Sequence, residues 1–138
     1  MITAIDTNIL LDILIPNDAF CEASAQSVLQ SASCGPLLIC DIVYAELCVH
    51  FERRDECDRF LASTGILVQS LSPDALFAAS RAWRTYRKQG GARAHILPDF
   101  FVAAHAQRQA TRLLSRDRGF YRKFFPQLSL LDPSQASH

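Results

Sequence analysis

Four carboxylates, Asp6, Glu46, Asp99 and Asp117, stand where the sequence pattern brings separate segments to one edge of a sheet. Asp6 ends an apolar run, residues 1–5, and opens Asp6-Thr7-Asn8, residue types that cap helices. Asp117 lies just past a second run of strand formers, residues 111–115. Asp99 falls in the first turn of a helix opened by Pro98. That helix must return antiparallel to the strands, so its start lies at the edge where they end, the edge where open parallel sheets gather functional groups. Glu46 follows Asp41 in a helical pattern and shares a face with Ile42, Val43 and Val49 at spacings i−4, i−3 and i+3. A glutamate on an apolar stripe is costly unless it is paired or bound to a cation. Carboxylates that converge repel one another unless one is neutral or a cation sits among them. Oxygen-only ligands suit Mg2+ or Mn2+ rather than zinc. An ion held this way lowers the pKa of a bound water, orients a phosphodiester and offsets charge as the bond breaks.

Each acid also has a plainer role open to it. Asp6 is placed to cap a helix, Asp117 to make a turn, and Asp99 to complement the positive end of a helix dipole. Glu46 is accounted for equally if it leans out at a rim. Cations lie in two groups. Arg81, Arg84, Arg87 and Lys88 run along one predicted helix and, with Arg93 beyond Gly90-Gly91, form a candidate phosphate-binding strip. The alternative is a solvated face that favours the helix's negative end. Arg116 and Arg118 flank Asp117 and are better placed for a scissile phosphate. Trp83 and Tyr86 have the chemistry to stack on bases, but aromatics at helical spacing are more commonly core. His95 and His105 are assigned structural roles, since a metal-activated water needs no histidine base.

The elements that must hold these groups alternate. Strands are predicted at residues 1–5, 37–40, 66–70, 111–115 and, weakly, 128–131, apolar throughout. Helices are predicted at 9–15, 20–32, 41–51 with Asp41 as cap, 54–63, 73–89 with Ser72 as cap, and 98–109. Strands of this kind between helices indicate an α/β fold with a parallel sheet covered on both faces. Residues 1–132 are expected to form one domain and 133–138 a disordered tail. Apolar residues make up 49% and charged residues 20%, which excludes wholesale disorder. With 14 basic against 14 acidic residues, nucleic acid would have to be met by a local basic surface. No apolar run approaches the roughly 18 residues of a membrane span, and no secretory signal is evident, so a cytoplasmic protein is expected. The five cysteines contain no C-x-x-C pair and read as small buried apolar residues in a reducing compartment, with a zinc site as the alternative.

Ile5-Asp6-Thr7-Asn8 followed by Leu10-Leu11, then Ala45-Glu46-Leu47, then Leu97-Pro98-Asp99-Phe100-Phe101-Val102-Ala103-Ala104-His105-Ala106, then Leu113-Leu114-Ser115-Arg116-Asp117, resemble the PIN-domain family and, within it, the VapC-type toxins. The stretch through Gly119-Phe120-Tyr121 and Phe124-Phe125-Pro126 is similar to that family's ending. The resemblance implies a mostly parallel five-stranded sheet in a three-layer α/β/α sandwich, with acids at all four positions and Mg2+ or Mn2+. It also implies endonucleolytic RNA cleavage, a homodimer and neutralisation by a cognate antitoxin. Thr7 matches a position that assists the metal site, Asn8 one that orients the first Asp, and Ser115 stands where many relatives carry Thr. Two other readings compete. A haloacid-dehalogenase-like phosphohydrolase also places an Asp after its first strand, but its second Asp would fall at Asn8, and the one lysine between Asp6 and Asp117 is Lys88. A non-catalytic domain that keeps the fold for binding has no need of four acids.

Overall fold

The computed structural model describes residues 1–16, 19–91 and 96–133. Five strands, β1 (Thr3–Ile5), β2 (Leu37–Cys40), β3 (Ile66–Gln69), β4 (Arg112–Leu114) and β5 (Leu130–Leu131), form one sheet in the order β3-β2-β1-β4-β5. All four pairings are parallel, so the expected "mostly parallel" sheet is wholly so. Seven helices among the described residues surround it: α1 (Thr7–Leu14), α2 (Cys21–Cys34), α3 (Asp41–Cys48), α4 (Arg54–Thr64), α5 (Pro73–Lys88), α6 (Pro98–Gln109) and α7 (Arg118–Phe124). Every residue of β1 and β2 is buried. Successive strand residues point to opposite faces, so both faces of the central strands are covered and the architecture is a three-layer sandwich.

The chain order fixes where a site belongs. From β1 the chain steps outward to β2 and β3, then returns to the other side of β1 for β4 and β5. The direction of winding therefore reverses between β1 and β4, and the carboxyl ends of these two strands flank the crevice such a reversal leaves. Asp6 follows β1 and Ser115 to Asp117 follow β4.

Several elements differ from expectation. Helix α1 begins at Thr7, not at residue 9, because Asp6 caps it directly, its side chain accepting the Thr7 amide. Helix α3 has Cys40 rather than Asp41 at the cap, and it stops at Cys48 because tighter turns, His50 N–H to Leu47 and Phe51 N–H to Cys48, take over. β3 is apolar in sequence yet leaves Leu67 and Val68 exposed, since it is an edge strand with β2 on one side only. Helix α7 was not expected at all. It is seven residues long, contains Gly119 and has no side-chain cap, so its order comes from packing. Phe120 and Phe124 lie 5.2 Å and 5.8 Å from Phe100, which is fully buried. Trp83 and Tyr86 stack at 5.1 Å and meet the same ring edge-on, so these aromatics are core. The cluster pins the first turn of α6, and with it Asp99, against α5 and α7. The cysteines are all free, and only Cys40 and Cys57 are buried; Cys34 is exposed.

Gly35 closes the turn from α2 into β2 with φ at 152°. A side chain there would be strained and would run into the carbonyl of Met1, which lies alongside where the Met1 amino group meets Cys34 at 3.0 Å. Gly35→Ala should therefore cost more than about 1 kcal/mol, against a modest gain where φ is permissive. A lowered urea midpoint with unchanged slope would register it.

Candidate active site

Asp6 is the best-anchored acid of the site. Its Oδ1 accepts the Thr7 amide at 2.8 Å, and its Oδ2 accepts the Ser115 and Tyr121 hydroxyls, both at 2.8 Å. The Asn8 amide lies 3.5 Å from Oδ2, too far to count for much, and bonds instead to Ser115 Oγ at 3.3 Å. Asn8 also accepts the Arg116 amide at 3.3 Å, while Ser115 Oγ accepts the Asp117 amide at 3.0 Å. The loops after β1 and β4 are thus sewn together through Asn8 and Ser115. Glu46 is brought in from α3 by the Thr7 hydroxyl, which donates to Oε1 at 2.8 Å. It is half-buried at a rim. Of the apolar stripe expected around it, Val43 is buried but Val49 is 80% exposed, because the helix has ended at Cys48.

The electrostatics tie the four acids into one field. Burial pushes the Asp6 carboxyl up, the hydrogen bonds from Ser115, Tyr121 and Thr7 draw it back down, and Asp117 pushes it up again. Asp99 is pushed up to about 6, by burial first and then by the charges of Asp6, Asp117 and Glu46, with Tyr121 opposing. Asp99 can respond to all three other acids only because they share its neighbourhood. Among the described residues no ion pair joins any of the four to Arg or Lys. A set of carboxylates left without basic partners is a place for a cation.

The chain matches the PIN domain family over residues 3–125. It belongs to that family. Similar solved structures include VapBC2 from Rickettsia felis bound to a promoter DNA fragment, at 20% identity and TM-score 0.71, covering 96% of this chain and 98% of that one. VapBC-1 from nontypeable Haemophilus influenzae matches at 19% identity and TM-score 0.71, covering 98% and 100%. A toxin–antitoxin complex from Klebsiella pneumoniae matches at 20% identity and TM-score 0.64, covering 95% and 97%. At these identities the likeness is one of fold. No curated protein sequence matches the chain.

The arginines beside the fourth acid of this PIN domain are committed elsewhere. Arg116 makes a two-pronged pair with Asp12, at 2.8 and 2.9 Å, and its guanidinium lies 4.0 Å over the Phe20 ring. Arg118 pairs with Asp132 at 2.9 Å. Both hold the Asp117 loop in place from either side. Arg81, Arg84, Arg87 and Lys88 are exposed along α5, with Arg81 stacked 4.5 Å over Phe77. Arg93 and His95 lie outside the described residues. His105 is buried, with Nε2 2.9 Å from Gln69 Oε1, and burial holds its pKa down, as suits a structural histidine. Asp12 and Tyr121 are the site's unforeseen members. In the sequence Asp12 merely interrupts the apolar run 9–15 and Tyr121 is one aromatic among several, so neither residue type signals the site.

The donor set fits a hard divalent ion in chemistry, being all carboxylate with hydroxyl and amide support. Among the described residues no three Asp, Glu, His or Cys side chains are drawn to ligating spacing around one point, so the fit is of donor type and convergence, not of closed geometry.

Proposed function

We propose that this PIN domain is a metal-dependent endoribonuclease that hydrolyses RNA phosphodiester bonds as the toxin of a toxin–antitoxin pair. What supports this is that Asp6, Glu46 and Asp117 all act on the charge of Asp99, with Asp6 and Asp117 following the strands where the sheet reverses, and that among the described residues no ion pair joins any of the four to Arg or Lys. Asp6, Glu46, Asp99 and Asp117 are the residues to hold Mg2+ or Mn2+. When bound, the ion supplies an acidified water and a counter-charge for the phosphate. The chain's own part is orientation: Ser115 and Tyr121 hold Asp6, Thr7 holds Glu46, and Asn8 links the two loops. The exposed cations of α5, with Arg93, are the proposed RNA contacts, with Arg116 and Arg118 contributing to the field around Asp117. Residues 1–132 form the proposed nuclease domain. The toxin assignment leans on the relatives, solved as VapBC and toxin–antitoxin complexes. With it come a cognate antitoxin, a homodimer and a cytoplasmic setting. No helix among the described residues is long and apolar enough to cross a membrane.

The test is cleavage of a structured RNA with Mg2+ or Mn2+, with and without excess EDTA, beside a small phosphomonoester. Metal-dependent RNA cutting with an inert monoester is expected. Full activity in EDTA would sink the proposal, and turnover of the monoester would favour the phosphohydrolase reading.

A further inference from the structure

We infer that Tyr121 is a positioning residue that locks one oxygen of Asp6 and leaves the other to face a cation, an inference that rests on the nuclease reading above. Tyr121 is the largest fully buried side chain among the described residues, and its ring meets Phe120 at 5.3 Å. A phenylalanine would fill that space, so the hydroxyl calls for its own explanation. It donates to Asp6 Oδ2 at 2.8 Å, and Ser115 donates to the same oxygen at 2.8 Å. A carboxylate oxygen has two lone-pair sites, so these two donors fill Oδ2. Among the described residues Oδ1 carries only the Thr7 amide, which leaves one site open. Two buried O–H donors to a charged oxygen are strong and directional. They prevent the carboxylate from turning or offering both oxygens at once.

Helix α7 delivers the lock together with the fourth acid. Asp117 sits at its cap position and Tyr121 one turn in, with the Arg118–Asp132 pair tethering the start. Any shift of α7 therefore moves Asp117 and the Asp6 lock as one body.

The experiment is Tyr121→Phe, read by Mn2+ affinity in calorimetry and by the melting temperature in EDTA. Removing a supporting hydrogen bond to a metal ligand should weaken Mn2+ binding about 10- to 100-fold, with the EDTA melting temperature little changed. RNA cleavage lost at low Mn2+ should return at high Mn2+, which a merely structural defect would not allow. Ser115→Ala acts on the same oxygen and should weaken Mn2+ binding likewise, so the inference stays testable if the tyrosine variant does not fold. Both variants binding Mn2+ within about twofold of the parent would overturn the lock while leaving the nuclease reading intact. A parent protein that neither binds Mn2+ nor cuts RNA would overturn both.

Discussion

On the proposed nuclease reading, Asp99→Asn is expected to cut RNA cleavage by at least about 100-fold, since one ligand of a catalytic ion would account for several kcal/mol of charge stabilisation. The same substitution should raise, not lower, the melting temperature in EDTA. The Asp99 carboxyl is pushed up from 3.8 to about 6 by burial and by three acidic neighbours. A folded pKa above the unfolded one means that the native state holds its proton longer. The stability this provides is complete below the unfolded value and is lost as pH rises through the folded one. Above pH 6 the ionised group is thus a burden on the fold, on the order of 1–2 kcal/mol once solvent screening of a half-exposed group is allowed for. Asparagine carries no charge, so the variant should melt a few degrees higher and lose much of the fall in stability between acid and neutral pH. The parent should gain stability with the logarithm of Mn2+ concentration, and the variant should lose most of that gain. A matched-ionic-strength control separates binding from screening. Lowered stability in EDTA with an intact Mn2+ response would make Asp99 a helix-start residue and nothing more.

The other large effect is on the fold. Asp12→Ala should destabilise by about 2–3 kcal/mol, because it leaves the partly shielded charge of Arg116 without its carboxylate and the buried Ser24 hydroxyl without its acceptor. That corresponds to a melting temperature lower by roughly 6–12 °C. The Asp12 side chain is 4% exposed and that of Arg116 32%, so the pair is shielded on the acid's side. Ser24 donates a further bond to Asp12 at 2.7 Å. The pair also bears on the site, since the Arg116 amide is held by Asn8. In the Asp12→Ala/Arg116→Ala double variant the loss should be well below the sum of the singles, the mark of a shared interaction. Additive losses, or a single-variant cost under about 1 kcal/mol, would reduce the contact to a surface ion pair.

Punctuation made part of the fold readable. Gly35-Pro36 and Pro98 bracket β2 and α6, and both elements fall on their expected residues, 37–40 and 98–109. The placing of Asp6, Asp99 and Asp117 at one edge of the sheet follows from residue type and the rule for open parallel sheets, with no side-chain geometry required. What stayed hidden depends on contacts across the fold. The Tyr121 hydroxyl finds Asp6 at a separation of 115 residues, and Arg116 finds Asp12 at 104. In sequence, a tyrosine among phenylalanines reads as core, and arginines beside an active-site acid read as phosphate ligands. Val49 leaves the Glu46 stripe for a local reason: the helix ends one residue before it, at Cys48. Cys48 and Cys57, with sulfurs 3.7 Å apart, meet only because α3 and α4 fold back on each other.

The position of β1 has a consequence for synthesis. It precedes the other four strands in the chain yet lies in the middle of the sheet, and one of its two neighbours, β4, begins at Arg112. A growing chain must therefore hold a central strand half-paired until β4, more than a hundred residues later, has left the ribosome, a distant closure of the kind that forms late. Until then Asp6 lacks both the Ser115 and the Tyr121 hydroxyls, and Asp117 has yet to be added. On the proposed nuclease reading, the cutting edge would in this way be kept from assembling beside the messenger and ribosome that are still making the chain.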